Sequence, residues 1–390
     1  MSAKFTFFII GPSHHHFYYL VPFINASTEK EYCVIGATSA YHDILRKNFP
    51  NLKLRTFKPN DPKLLEYFNS YDFILHSNAY TFFENNIRPK LSSSIIFGYI
   101  NHGTSGKFTD SGYIMSNYLW DITVLAGKKD LDILYEIENI PQSKRSYRNP
   151  LIIKTGDGRE ILIIQAGNLR IQSYFSARPS RQEVFSGIKR IDPRKKTVLY
   201  MPTFSYNPGH TKKNYCSIPF FIRLLKEGKI STDFNYIIKL HPNLIYEKEI
   251  VQALGLALKE QSIYFYIDII GGDYLKYMEI SDLLITDRTS AFYDFLYFDK
   301  PIIFLDHNNE CPENLTFKDI TNSYWGYQCG YIISGKNFDT ADKVIEKAIV
   351  DDCFIETRKH IHNYCFEDSL SPEAILQMML THPKYISKKH

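Results

Sequence analysis

The sequence predicts an α/β protein of two parallel-sheet domains, and three observations carry that reading. Short apolar runs of strand length alternate with helix-length segments, as in parallel sheets covered on both faces. The alternation occurs twice, on either side of a polar, proline-containing stretch, "SARPSRQEVFSGIKRIDPRKK". At 390 residues the chain is also longer than one ordinary core supports.

The elements follow in order. "KFTFFII" reads as a strand, "GPS" as a glycine turn and "HHHFYYLVPFI" as a helix, which together open a βα unit. "EYCVIGA", "YDFILHS", "SIIFGYIN" and "DITVLAG" are further strands, and "KKDLDILYEI" has helical spacing. "LIIKTGDGREILIIQAG" reads as a hairpin with "GDG" at its turn. After the polar stretch come strands "TVLYMPTF", "NYIIKLHP", "SIYFYID", "DLLITD" and "KPIIFLD". Between them lie helices "IPFFIRLLKEG", "GDYLKYMEIS" and "TSAFYDFLYFD". The stretch from "DTADKVIEKAIVDD" to "SPEAILQMMLTH" is helical. The expected division is 1–185, an N-terminal Rossmann-like domain; 186–370, a C-terminal Rossmann-like domain; and 371–390, a helix packing back on the N-terminal domain. Such a twin Rossmann-like architecture places its parallel sheets about a central cleft, and ligands bind at the carboxyl ends of the strands.

Composition narrows the classes. Hydrophobic residues at 44% and charged residues at 23% are ordinary for a globular protein. A net charge of +4 is too mild to argue for a nucleic-acid partner. The locally basic "RPSRQ", "IKRIDPRKK" and "SKKH" read as solvated surface or as a face toward an anionic lipid or polymer. Six cysteines without CxxC or zinc spacing read as reduced thiols. The N-terminal apolar run is too short for a signal peptide or a spanning helix, so a cytoplasmic protein is expected, with any membrane contact peripheral at the inner face.

Four polar clusters pass the strand-end test. "ITDRTSAFYDF" places Asp287, Arg288, Thr289 and Ser290 between a strand and a helix, where backbone N–H groups favour an anion. "IIKLHP" places His241 after a strand, with Lys239 on the same side by period two. "YMPTFSYNPGHTKK" places Thr203 before a basic loop with His210, Lys212 and Lys213. "GPSHHHF" places Ser13 and His14 at the end of the first strand. Adjacent histidines on a helix point about 100° apart and do not converge on one ion, so no metal site is read. Singly, these residues also read as helix caps, backbone-bonded loop residues or surface loops. Together they hold the groups an anionic, diphosphate-bearing donor requires.

The order and form of these segments resemble the CDP-glycerol glycerophosphotransferase family, the teichoic-acid primases and polymerases and their capsule relatives. The matching pieces are "INHGTSGKF", "KKTVLYMPTF", "IIKLHP", "YMEISDLLITDRTSAFYDFLYFDKPIIF" and "YCFEDSLSPEAILQMM". The resemblance implies a GT-B fold, with 1–185 as the acceptor-side domain and 186–370 as the nucleotide-donor domain. It implies a transferase that moves glycerol or ribitol phosphate from a CDP-linked donor to a glycan, polymer or lipid-linked acceptor. It assigns His102 as general base on the acceptor hydroxyl, a task suited to an imidazole titrating near neutrality. It assigns His241 to the donor pyrophosphate and Thr289 and Ser290 to the phosphates. Asp287 orients that turn, and Thr203, Lys239, Glu367 and Asp368 lie on the donor side. Gly103, Thr104 and Lys107 join Ser13 and His14 on the acceptor side. No cofactor is implied beyond the CDP-activated substrate. Arg288-Thr289 replaces the family's usual Tyr-Ser, and Ser369 its closing glycine. Two alternatives stand beside this reading. One is a GT-B glycosyltransferase using a CMP- or UDP-activated sugar for capsule or lipopolysaccharide synthesis. The other is a non-catalytic member that binds anionic glycan.

Overall fold

A computed structural model describes residues 3–11, 14–78, 81–101, 104, 120–154, 158–188, 191–204, 216–261, 263–269 and 273–389. The chain divides into two compact units. The first holds the described residues of 1–104, 112–173 and 364–390, and the second those of 174–363. The chain therefore leaves the first unit at Ser173 and re-enters it at Tyr364.

The first unit carries one sheet of eight strands: β1 (Phe5–Ile10), β2 (Glu31–Ile35), β3 (Lys53–Phe57), β4 (Phe73–His76), β5 (Ile96–Ile100), β6 (Ile122–Leu125), β7 (Leu151–Lys154) and β8 (Glu160–Gln165). Their order is β3-β2-β1-β4-β5-β6-β8-β7. All pairs are parallel except the β7–β8 hairpin, which the "GDG" turn anticipates. Strand β3 escapes the sequence reading because it is a polar edge strand with no buried residue. The pleat sorts β1 by period two. Phe5, Phe7 and Ile9 enter one core cluster with Phe17, Leu20 and Ile24 of helix His14–Ala26. Phe8 enters the opposite cluster with Leu64, Phe68 and Phe83. Each such side chain contributes about 1.5–3 kcal/mol on full burial, so both faces of the sheet are committed to core. The C-terminal helix Pro372–Met379 joins the first cluster through Ile375, Leu376 and Met379. Its start is set by Ser371, whose hydroxyl accepts the Ala374 N–H at 3.2 Å, and by Pro372 in the first turn.

The second unit carries β9 (Thr197–Met201), β10 (Asn235–Lys239), β11 (Tyr264–Asp268), β12 (Leu283–Thr286), β13 (Ile302–Asp306) and β14 (Tyr331–Ser334). Their order is β11-β10-β9-β12-β13-β14, and every pair is parallel. The sequence reading lacks β14, a four-residue edge strand. Val198 and Tyr200 of β9 pack with Phe221 and Leu224 of helix Ile218–Lys226 and Leu254 and Leu258 of helix Lys248–Glu260. Leu199, Ile237 and Leu284, on the alternate positions, are also buried. Among the described residues no helix is long and apolar enough to cross a membrane.

Candidate functional site

In the second sheet the chain builds β9, β10 and β11 to one side and then crosses to place β12 on the other side of β9. The β9/β12 boundary is thus the switch point, where an open α/β sheet leaves a crevice at its carboxyl edge. Three of the sequence-predicted clusters come together there. Asp287 follows β12 and is buried. Its carboxylate accepts the Thr203 N–H at 2.8 and 3.1 Å, the Ser217 N–H at 3.0 Å and the Ser217 hydroxyl at 2.8 Å. The Tyr200 hydroxyl lies 2.8 Å from that of Ser217. Asp287 therefore clamps both ends of the segment between Thr203 and Ser217 to the end of β12. The basic stretch 205–215, with His210, Lys212 and Lys213, lies outside the described residues.

The turn after Asp287 is tight. The Thr289 N–H donates to the Asp287 carbonyl at 2.7 Å, and the Thr289 hydroxyl accepts from the Ala291 N–H at 3.3 Å. Ser290 stands at the start of helix Ala291–Phe295, and no hydrogen bond of its side chain caps that helix. Arg288 is buried with its guanidinium carbon 5.1 Å from the Tyr324 ring centroid, and the Tyr324 hydroxyl donates to Glu310 at 2.9 Å.

Next to β9, His241 follows β10. Its Nδ1 accepts the Asn243 N–H at 3.2 Å, and its ring lies 4.4 Å from that of Phe204. A ring nitrogen that accepts carries no proton, so the neutral ring has its proton on Nε2. Lys239 is buried, and its ammonium donates to the carbonyls of Leu240 at 3.0 Å and Ile269 at 3.3 Å. Burial pushes its pKa down, against the attraction of Asp268. Lys239 thus ties the ends of β10 and β11 together.

In the first unit, His102, Gly103, Lys107 and Ser13 lie outside the described residues, as does the side chain of His14. Thr104 is described and buried. Its hydroxyl donates to Asp130 at 2.6 Å and accepts from the Lys129 ammonium at 2.9 Å. Glu367 and Asp368, expected on the donor side, belong to the first unit. The Glu367 N–H donates to the Ala126 carbonyl at 2.9 Å, and Asp368 accepts from Gln172 Nε2 at 2.8 Å. Gly167 makes room for them at φ +68°, where an added Cβ would stand 2.2 Å from an Asp368 oxygen. Their placement follows from the re-entry of the chain at Tyr364, which local pattern does not encode.

Sequence reasoning missed the Lys129–Asp130 pair. The signal was present: "LAGKKDLD" also follows a strand, but the helical spacing of its apolar residues makes its charges look like a solvated face. Among the described residues, no group of three or more His, Cys, Asp or Glu is placed to hold a metal.

The fold and these strand-end clusters define a twin Rossmann-like α/β protein of GT-B type. Over residues 143–311 the chain matches the family model described as CDP-glycerol:poly(glycerophosphate) glycerophosphotransferase, so the resemblance carried by the motifs is found independently over that segment. The segment includes Thr203, Lys239, His241 and Asp287–Ser290. The teichoic acid glycerol-phosphate primase of Bacillus spizizenii is 30% identical over 138 residues, 35% of this chain and 32% of that protein. The teichoic acid poly(glycerol phosphate) polymerase of the same organism is 27% identical over 176 residues, 44% of this chain and 41% of that protein. The matches thus span well under half the length of these curated relatives. Among solved structures, the wall teichoic acid polymerase TagF, an H444N variant soaked with CDPG, superposes with a TM-score of 0.62 at 12% identity, covering 100% of this chain and 90% of that one. UDP-GlcNAc 2-epimerase from Neisseria meningitidis superposes at 0.56 with 15% identity, covering 96% and 99%.

Proposed function

We propose that this protein is a transferase that moves a polyol phosphate, glycerol or ribitol phosphate, from a CDP-linked donor to a hydroxyl of a cell-surface glycan or polymer. The reaction takes place on the cytoplasmic side, where nucleotide-activated donors are available. The observation that supports this most is the gathering of Thr203, His241 and the Asp287–Ser290 turn at one switch point, within the segment that matches the family model.

The chemistry follows from the groups. The acceptor hydroxyl gives its proton to His102 and its oxygen attacks the β-phosphorus of the donor. The bond from that phosphorus to the bridging oxygen breaks, and CMP leaves with the electron pair. Catalysis of this kind is largely positioning plus stabilisation of charge on phosphate oxygens. The hydroxyls of Thr289 and Ser290 face the diphosphate, while the Thr289 N–H is held by the Asp287 carbonyl. His241, with its proton held on Nε2 by the Asn243 contact, donates to a phosphate oxygen. Asp287 keeps the turn and the Thr203 loop in register.

The test is nucleotide release from CDP-glycerol, CDP-ribitol and CMP- and UDP-sugars, each with a glycan acceptor. Release of CMP from a CDP-polyol is expected. His102→Ala should lower transfer by about 10²–10⁴-fold, the usual contribution of a general base, with donor binding retained. His241→Ala should weaken donor binding itself. Release from sugar nucleotides alone would replace this reading with a glycosyltransferase. Glycan binding without turnover, indifferent to His102→Ala, would replace it with a binding protein.

A further inference from the structure

We propose that Asp130 is a positioning residue for the stretch bounded by Asn101 and Thr104, the stretch that contains His102. The inference rests on the role given to His102 above. Strand β5 ends at Ile100, and the Asn101 N–H still pairs with the Val124 carbonyl of β6 at 3.0 Å. Asn101, Thr104, Lys129 and Asp130 are all at least nine-tenths buried. One carboxylate connects them. Asp130 Oδ1 accepts the Thr104 hydroxyl at 2.6 Å, and Oδ2 accepts the Ala126 N–H at 3.3 Å and Asn101 Nδ2 at 3.5 Å. Lys129 Nζ donates to the same Thr104 hydroxyl at 2.9 Å and lies 3.8 Å from Asp130. Both ends of a four-residue stretch, and the end of the neighbouring strand, are thus fixed to one point.

The plainer reading is helix capping. Asp130 is the third residue of helix Lys128–Ile137, a position where acids often reach back to the cap N–H. Its shortest bond among these, however, goes to a hydroxyl 26 residues away. Nor does stability explain the arrangement, because buried ion pairs are often no better than apolar side chains of the same volume. What the cluster supplies is a fixed geometry on either side of residue 102. A general base needs that geometry, since a misplacement of about 1 Å can cost about 10²-fold in rate.

The experiment compares Thr104→Val and Thr104→Ser in the full chain. Valine keeps the shape and leaves Lys129 beside Asp130 but removes the link; serine keeps the link. Two readouts are taken. The first is kcat and KM for CMP release from CDP-glycerol. The second is the imidazole NMR signal of His102, assigned by its loss in His102→Gln, followed through a pH titration. Thr104→Val should lower kcat by about 10²-fold with KM for CDP-glycerol unchanged. It should also shift the His102 signal and its titration while the His241 signal stays in place. Thr104→Ser should restore both. If Thr104→Val does not fold, Thr104→Ala, which adds no bulk, reads the same link. A His102 signal and titration indifferent to removal of the Thr104 hydroxyl, or a serine variant as defective as the valine one, would overturn the proposal. The NMR readout does not depend on turnover. A wild-type chain inactive toward CDP-polyols would remove the transfer reading, and the His102 signal would still decide the role of Asp130.

Discussion

The two sheets run in the same order through their first six strands, β3-β2-β1-β4-β5-β6 and β11-β10-β9-β12-β13-β14. Each unit fastens a strand-end loop to one buried carboxylate. The two carboxylates are compensated differently. Asp130 has the Lys129 ammonium 3.8 Å away, itself fully buried. Asp287 draws on backbone N–H groups of Thr203 and Ser217 and on the Ser217 hydroxyl. Burial pushes the pKa of Asp130 up and that of Lys129 down, so each needs the other to stay charged. One loop is held by a pair of ions and the other by dipoles, and the two should fail differently.

The largest expected effect tests the ionic side. Asp130→Ala leaves the Lys129 ammonium buried without its carboxylate and should cost about 3–5 kcal/mol, as removal of one partner of a buried pair does. Adding Lys129→Met should recover much of that loss, because the orphaned charge is gone. Urea unfolding of the single and double variants measures both. A double variant as unstable as the single one would show that the lysine is not what makes the loss large.

Asp287→Asn is the counterpart in the second unit. The amide keeps one acceptor oxygen and loses the other, so one of the N–H groups of Thr203 and Ser217 is left without it. The expected cost is about 1–3 kcal/mol, that of one buried unsatisfied donor. A loss equal to that of Asp130→Ala would erase the contrast. In the transfer assay the same variant should raise KM for the donor, because Thr203 and Ser217 lose their shared anchor at the end of β12.

The difference between the two carboxylates also separates what the sequence makes legible from what it hides. Asp287 follows an apolar run and precedes two hydroxyls and a helix, so every feature that marks it lies within a few residues. Asp130 acquires its role from Thr104, on a different strand-end loop, and nothing in "KKDLDILYEI" announces that partner. The core strands β1, β9 and β12 are legible because burial on both faces makes them continuous apolar runs. The edge strands β3 and β14 are not, since β3 alternates no clear apolar face and β14 is only four residues long. Lys239 is legible as a strand-end cation, but the carbonyls it binds come from the ends of two strands, one of them β11. Glu367 and Asp368 are legible as acids near a site, and their unit is set by the path of the chain after Asn363.

The smallest effect concerns the fourth strand of each sheet, β4 and β12, at its last residue. In β12 this is Thr286, whose hydroxyl donates to the Met201 carbonyl at 2.7 Å. In β4 it is His76, fully buried among Phe8, Tyr99 and Trp120. Its Nδ1 lies 2.5 Å from the Asn78 carbonyl, which can only accept, so Nδ1 carries a proton. Burial holds its pKa down at about 3, against the bond to Asn78 and with smaller contributions from Arg88 and His16. The sign follows directly. The unfolded chain takes up a proton at this histidine below about pH 6.5, and the folded chain does so only near pH 3. The stability it contributes is therefore complete above pH 6.5 and is lost as pH falls toward 3. Between pH 7 and pH 5.5 the loss should be about 1 kcal/mol for this one group. His42 and His382 are also held down by burial and add to the acid sensitivity. They persist in His76→Phe, so the difference in pH slope between that variant and the wild type isolates His76. Urea midpoints at the two pH values give that slope. Parallel slopes would mean that the end of β4 admits a proton as readily as the unfolded chain does.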